Sequence, residues 1–262
     1  MDTGLTYLFL NADYFVLLLM RTSALIFASP IFGRINIPQI AKIGLVFGLT
    51  YLFFLSHPNS EIFAYTSAFG FFLLIASELL IGVALAFVTN IFFTLTFVAG
   101  QMIDMQIGFG IVSVYDIQNN TQVPVFGNVL NITLLLVFFI VNGHHRLIEV
   151  LYMTLEMLPV GGLVFRPEIG LVALELFALA FTLGVMVALP VVASGLVLEI
   201  AFGTLMRSVP QLNMFVVGIP MKTLVGFLMI IAILPIFSNF SEVIFSNMFL
   251  GIRQMFDTFL VV

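Results

Sequence analysis

The sequence predicts an all-α membrane protein with about six hydrophobic segments that form kinked helical hairpins. Three observations predict it. Of the 262 residues, 62% are hydrophobic and 8% charged, and the mean hydropathy is +1.24. Soluble domains carry about 25% charged residues, and a water-soluble fold has no means of covering so much apolar surface. The apolar runs are also long and continuous, without the alternation of a membrane barrel. Finally, Pro190 and Pro235 lie inside apolar runs. A proline there removes one backbone hydrogen bond and kinks the helix, a break tolerated where protein or a cavity resupplies partners.

A spanning helix needs roughly 20 predominantly apolar residues. The first block covers residues 14–33 and is interrupted by Arg21; the second covers 43–56. The third, 62–103, holds Glu78. At about 1.5 Å per residue it would be roughly 60 Å long, so a bend or hairpin is expected at Phe69-Gly70-Phe71 or near Glu78. The fourth block is 123–143. A weaker amphipathic stretch, 147–164, precedes the fifth, 169–198, and the sixth is 223–250 with Glu242 near its end. Small residues recur four apart at Gly44/Gly48, Ala24/Ala28 and Ala180/Gly184/Ala188. Such rows let helix backbones approach closely, although chance also produces them in an apolar chain. The whole chain, 1–262, reads as one domain without a soluble portion.

Charge and motif content exclude several classes. Thirteen acids against eight bases give a net charge of −5 and no basic patch, which argues against nucleic-acid binding. Cysteine is absent, which removes disulfides, thiolate metal sites and thiol catalysis. Asp2 and Asp13 stand near the start without an early Lys or Arg, so no basic n-region of a cleavable signal peptide is expected. HExxH, GxSxG and GxxxxGK[ST] are all missing, which leaves no recognised zinc, serine-nucleophile or ATP-phosphate motif. If the chain moves a substrate, the energy is supplied elsewhere. With an outside N-terminus and six crossings, Arg34, Lys42, Arg207 and Lys222 fall on one side and Arg146, Arg166 and Arg253 on the other. That is a weak positive-inside bias. Phe is abundant at 31 copies and Trp is absent, a pattern suited to an apolar surface that faces other subunits more than lipid.

Four ionisable residues fall within apolar blocks: Arg21, Glu78, Glu175 and Glu199. Such groups are costly at membrane depth and suggest pairing or function. Pairing with a neighbouring helix or subunit is one reading, and a proton relay the other. Asn142-Gly143-His144-His145-Arg146 closes the fourth block. His145 and Glu149 are one helical turn apart, but no third metal ligand stands nearby, so a polar helix terminus competes with a metal site. Residues 99–124 combine Met102 and Met105 around Asp104, Gly108 and Gly110 around Phe109, and a polar run from Asp116 to Gln122 that follows Tyr115. Glycine permits unusual backbone conformations and methionine fills irregular gaps. The stretch reads either as a soft plug that moulds around varied peptides or as an ordinary turn.

The run from Arg207 to Lys222 is bracketed by cations and holds Pro210, Gln211, Asn213, Gly218 and Pro220. Lying between two apolar blocks, it reads as a bent connection returning the chain to the membrane. Its PQLN and GxPxK elements resemble the FliR family of flagellar export-gate proteins and their injectisome counterparts, the SctT family. Arg21-Thr22-Ser23, Pro30-Ile31-Phe32-Gly33, Ile37-Pro38 and Lys42 occur in the family's order. They are followed by Glu78, Gly82, Ala99-Gly100-Gln101, Asp104, Gln106, Gly108-Phe109, Asn142-Gly143-His144-His145, Leu158-Pro159, Leu189-Pro190 and Gly203. Ile117 stands where the family pattern carries a proline.

The resemblance covers nearly the whole chain and implies a helical, closed assembly with FliP- and FliQ-like subunits. It implies an FlhB-like switch protein around the base of the gate and an FlhA-like ring beneath it. The expected function is a core subunit of the inner-membrane flagellar export gate, through which unfolded polypeptides are secreted. No enzymatic activity and no cofactor are expected. By position, residues 106–120 match the family's plug loop: Gln106, Gly108, Phe109, Gly110, Tyr115 and Asp116 are its candidate residues, with Met102 and Met105 as a gasket. The alternatives are an injectisome subunit, a small-solute secondary transporter and an intramembrane enzyme. A transporter predicts an internal repeat with discontinuous helices, and none is evident.

Overall fold

A computed structural model describes residues 11–57, 67–109, 115–116, 121–122, 124–163, 166–208 and 214–259. Among the described residues the regular structure is helical apart from one two-residue ladder. The helices are α1 (Ala12–Ala28), α2 (Gln39–Ser56), α3 (Ala68–Ile107), α4 (Val125–Ile140), α5 (Gly143–Met157), α6 (Glu168–Ser208) and α7 (Met214–Asp257). Between α3 and α4, β1 (Tyr115–Asp116) pairs antiparallel with β2 (Thr121–Gln122), with Tyr115 opposite Gln122. Among the described residues four helices are long and apolar enough to cross a membrane, and the α4–α5 pair, bent by 70°, brings the number to five.

α1 and α2 form an antiparallel hairpin. Tyr14 and Phe15 near the start of α1 meet Phe54 near the end of α2, with ring centroids 5.9 and 5.6 Å apart. The connection is a tight turn built by Pro30-Ile31-Phe32-Gly33. The Ser29 hydroxyl accepts the Ile31 and Phe32 N–H groups, and the Gly33 N–H donates to the Ser29 carbonyl at 2.9 Å. Arg34 Nε donates to the Pro30 carbonyl and Lys42 Nζ to the Gly33 carbonyl. The turn's carbonyls thus find cationic donors rather than lipid.

α3 corrects the expectation of a hairpin in the third block. It runs 40 residues without interruption through Gly70 and Glu78; residues 62–66 lie outside the described residues. The physical reason is that nothing forces a break. The segment contains no proline, and the Glu78 carboxylate is neutralised in place, as shown below. α6 extends beyond the apolar block to Ser208, and Glu199 within it pairs with Lys222. Pro190 is accommodated inside it.

The run from Arg207 to Lys222 is corrected too. α7 begins at Met214 and contains both Pro220 and Pro235, so Gly218, Pro220 and Lys222 are helical rather than part of a bent connection. Pro220 removes only one intrahelical bond, to the carbonyl of Val216, and a long apolar helix absorbs that loss. Pro210, Gln211 and Asn213 lie outside the described residues.

α4 and α5 meet at Asn142, which takes the left-handed conformation (φ 56°, ψ 29°). It is the one non-glycine residue with positive φ among the described residues. Asn tolerates this region better than most side chains, and its carbonyl accepts the His145 and Arg146 N–H groups to start α5. The Asn-Gly-His-His run is therefore the corner between two helices, as a polar helix terminus requires.

The described helices divide into two compact units. The first spans residues 1–90, 142–175 and 248–262, and its core includes Leu17, Leu25, Phe54, Ile81 and Leu151. The second spans 91–141 and 176–247, with Phe92, Phe93, Phe138 and Phe237 at its centre. Ala180 and Ala188 are buried within it, as their small-residue row predicts, whereas a Cβ on Gly44 or Gly48 would meet nothing within 4 Å.

Candidate functional site

Two anchored regions stand out, one in each unit. In the first unit the buried charges are not isolated. Arg21 on α1 is 1% exposed and Glu78 on α3 is fully buried; Arg21 Nε donates to Glu78 Oε2 at 2.6 Å. The remaining donors of the guanidinium reach the Thr154 carbonyl (3.0 Å) and the Leu158 carbonyl (3.1 Å) at the end of α5. Glu78 Oε1 accepts the Gly161 N–H at 3.0 Å. One arginine thereby ties α1, α3 and the turn after α5 together, and every polar atom of the pair has work. A buried charge is tolerated only when paired and hydrogen-bonded in this way.

In the second unit the structure fixes the base of the segment between α3 and α4. The side chain of Asp104, in the last turn of α3, accepts the Val125 N–H at 2.6 Å and the Phe126 N–H at 3.2 Å. These are orphan donors of the α4 N-terminus, where a carboxylate is favoured. Pro124, at the N-cap position, supplies no side-chain cap of its own. One turn earlier, α3 and α4 touch backbone to backbone: a Cβ on Gly100 would lie 2.0 Å from the Gly127 nitrogen. The chain leaves α3 through Gly108, whose φ of +95° most side chains resist. Phe109 then packs on Phe126 and Phe227, with centroids 5.8 and 5.9 Å away, and Phe126 and Phe227 are 5.6 Å apart. Phe109 and Phe126, which flank the intervening segment, thus both pack against α7 and form its stem.

The predicted residues distribute as follows. Met102 is half-buried and Met105 is 69% exposed on α3. Gln106 is half-buried and packs against Gly195, where a Cβ would meet its side chain at 2.5 Å. Tyr115 and Asp116 form the short ladder, and Gly110 lies outside the described residues. Pro30 starts the α1–α2 turn. Gly143 is buried and His144 half-buried at the α4–α5 corner. Arg207 is exposed near the end of α6; Gly218 is buried and Pro220 exposed on α7. Lys222 pairs with Glu199 of α6, and Glu175 accepts from Gln254 at 3.2 Å. Ion pairing therefore accounts for Arg21, Glu78 and Glu199, whereas Glu175 is exposed and accepts from a neutral amide. Among the described residues no group of three or more His, Asp or Glu side chains could hold a metal ion. Asp104 and Gly127 are the positions whose roles the sequence did not disclose; the available signal was an acid placed about 20 residues before a Pro-initiated helix.

Long apolar helices, cross-linked in the first unit by a buried ion pair, define a polytopic helical membrane protein. The comparisons specify the family. The profile of the bacterial export proteins, family 1, matches residues 12–248. The flagellar biosynthetic protein FliR of Escherichia coli (strain K12) is 33% identical over 233 residues, 88% of each chain. That of Bacillus subtilis (strain 168) is 33% identical over 232 residues, 85% of this chain and 86% of the relative. The secretion system apparatus protein SsaT of Salmonella typhimurium (strain LT2) is 24% identical over 163 residues, 62% of this chain and 63% of the relative. The chain belongs to the FliR family of bacterial export proteins.

Proposed function

We propose that this chain is a core, non-enzymatic subunit of the flagellar type III export gate in the bacterial inner membrane. With FliP- and FliQ-like subunits it forms the channel through which unfolded flagellar proteins pass. FlhB- and FlhA-like proteins contact the gate and supply coupling to energy. The observation that carries the reading is similarity to flagellar FliR along nearly nine-tenths of both chains. The flagellar reading is favoured over the injectisome because identity to SsaT is lower and covers a shorter stretch. A solute transporter has no comparable support. The 1–262 chain acts as one functional domain in this reading, its two compact units joined by continuous helices.

The segment after α3 is assigned as the plug of the closed channel, with Met102 and Met105 as soft side chains at its edge. Its stem supports that role. Asp104, Gly100 and Phe109 fix the helix ends on either side of it. A plug must be displaced by cargo and return, which calls for a flexible loop on a fixed mount.

Valine at Gly108 and Gly110 tests the assignment. A β-branched residue at the φ of Gly108 is strained by about 1–3 kcal/mol and forces the loop to leave α3 differently. The expected result is several-fold slower secretion of hook and filament proteins, or an ion leak through the resting membrane. Unaltered export together with unaltered ion tightness would remove the plug from this loop.

A further inference from the structure

We propose that a groove in the first helical unit, between α5 and the last turns of α7, binds one anionic phospholipid, its phosphate held by Arg146 and Arg253. The groove encloses a cavity of about 420 Å³, within the range of small-ligand sites. Arg146, Glu149, Met153 and Met157 line it from α5, and Arg253 and Phe256 from α7. Neither arginine forms an ion pair with an acid among the described residues. Arg146 lies over the Phe249 ring, 4.4 Å from its centroid. Stacking immobilises the guanidinium while leaving its N–H edge available.

The layout fits an amphiphile. Arg146, Met153 and Met157 follow one another along α5 at steps of seven and four residues, so they share one face about 16 Å long. Arg146 stands at one end of that face and the thioethers, 45% and 40% exposed, toward the other, while Arg253 lines the same groove from α7. Free phosphate would leave the methionines in contact with nothing apolar. An acidic peptide would lay polar backbone across them. An acyl chain fills the same face with matching chemistry, and methionine adapts to its shape. The three ionisable groups sum to one positive charge, which a single phosphodiester balances. Glu149 is an acceptor beside the cations, suited to a headgroup that carries hydroxyl donors, as glycerol does. Basic pockets between membrane helices take anionic headgroups on these grounds.

The test uses the full chain expressed with its genomic neighbours, purified in mild detergent, stripped of lipid and examined by native mass spectrometry. Phosphatidylglycerol and phosphatidylcholine are added in equal amounts. Several-fold preferential retention of phosphatidylglycerol is expected. R146Q/R253Q should lower it roughly tenfold or more, and R146K/R253K should keep most of it. Both arginines are solvent-exposed, so their replacement does not endanger folding. Equal retention of the two lipids, no phosphatidylglycerol retention, or retention unchanged by R146Q/R253Q would each overturn the proposal. Complete displacement by inorganic phosphate would overturn it as well, by assigning the arginines to a free anion.

Discussion

Replacing Glu78 with leucine is expected to destabilise the first helical unit by about 3–5 kcal/mol, the range for stranding one partner of a buried ion pair. Arg21 is 1% exposed, so its charge has no route to water once the carboxylate is gone. The substitution also orphans the Gly161 N–H, which Glu78 Oε1 now accepts. The carbonyls of Thr154 and Leu158 would still receive the guanidinium, but carbonyl dipoles do not neutralise it. The measurement is the thermal midpoint of the purified protein in detergent, with the yield of folded material beside it. The double variant Arg21→Met, Glu78→Leu should recover part of the loss, because it removes the uncompensated charge; the Leu158 carbonyl and the Gly161 N–H lose these partners, while the Thr154 carbonyl keeps the Leu158 N–H. An unchanged midpoint for Glu78→Leu would mean that the pair does not hold α1, α3 and the turn after α5 together.

Gly100→Ala is expected to have the next largest effect, about 3 kcal/mol. The added Cβ would sit 2.0 Å from the Gly127 nitrogen and 2.1 Å from its Cα. Both are backbone atoms, so no rotamer change relieves the overlap and α4 has to move away from α3. Overpacking of a well-packed core costs about 1–3 kcal/mol. Moving α4 also lengthens the bonds from Asp104 to the Val125 and Phe126 N–H groups, and loss of a helix cap adds about 0.5–2 kcal/mol. Hydrogen exchange reads this directly: the amides of Val125 and Phe126 should lose protection while those of the first unit keep theirs. Retained protection at both amides would show that the two glycines are not in backbone contact and that the loop has no rigid stem.

The class of fold was legible because hydrophobic length and continuity are local properties, and each apolar block overlaps a helix. The Asn142 corner was legible for the same reason: a polar, turn-prone run between apolar stretches is visible in a few residues. The extent of α3 was not. Whether a helix passes through Glu78 depends on Arg21, 57 positions earlier, and one sequence contains no statement of which residues pair. The connection expected around Gly218 and Pro220 failed for a related reason. Proline and glycine signal breaks in water, whereas a long apolar helix has no better place to put its backbone and absorbs them. The Asp104 cap joins residues 21 and 22 positions apart across a segment whose folding the sequence pattern does not specify. Of the candidate site, the sequence offered the glycines and methionines of residues 102–110, whereas the contacts of Gly100, Asp104 and Phe109 depend on partners distant in the chain.

A gate subunit of the proposed kind works only within an obligate complex. The most direct measurement is purification of the tagged chain in mild detergent after expression with its genomic neighbours, followed by mass spectrometry. The expected result is one stable complex containing FliP- and FliQ-like proteins. A monodisperse, thermally stable lone chain, recovered without those partners, would contradict it.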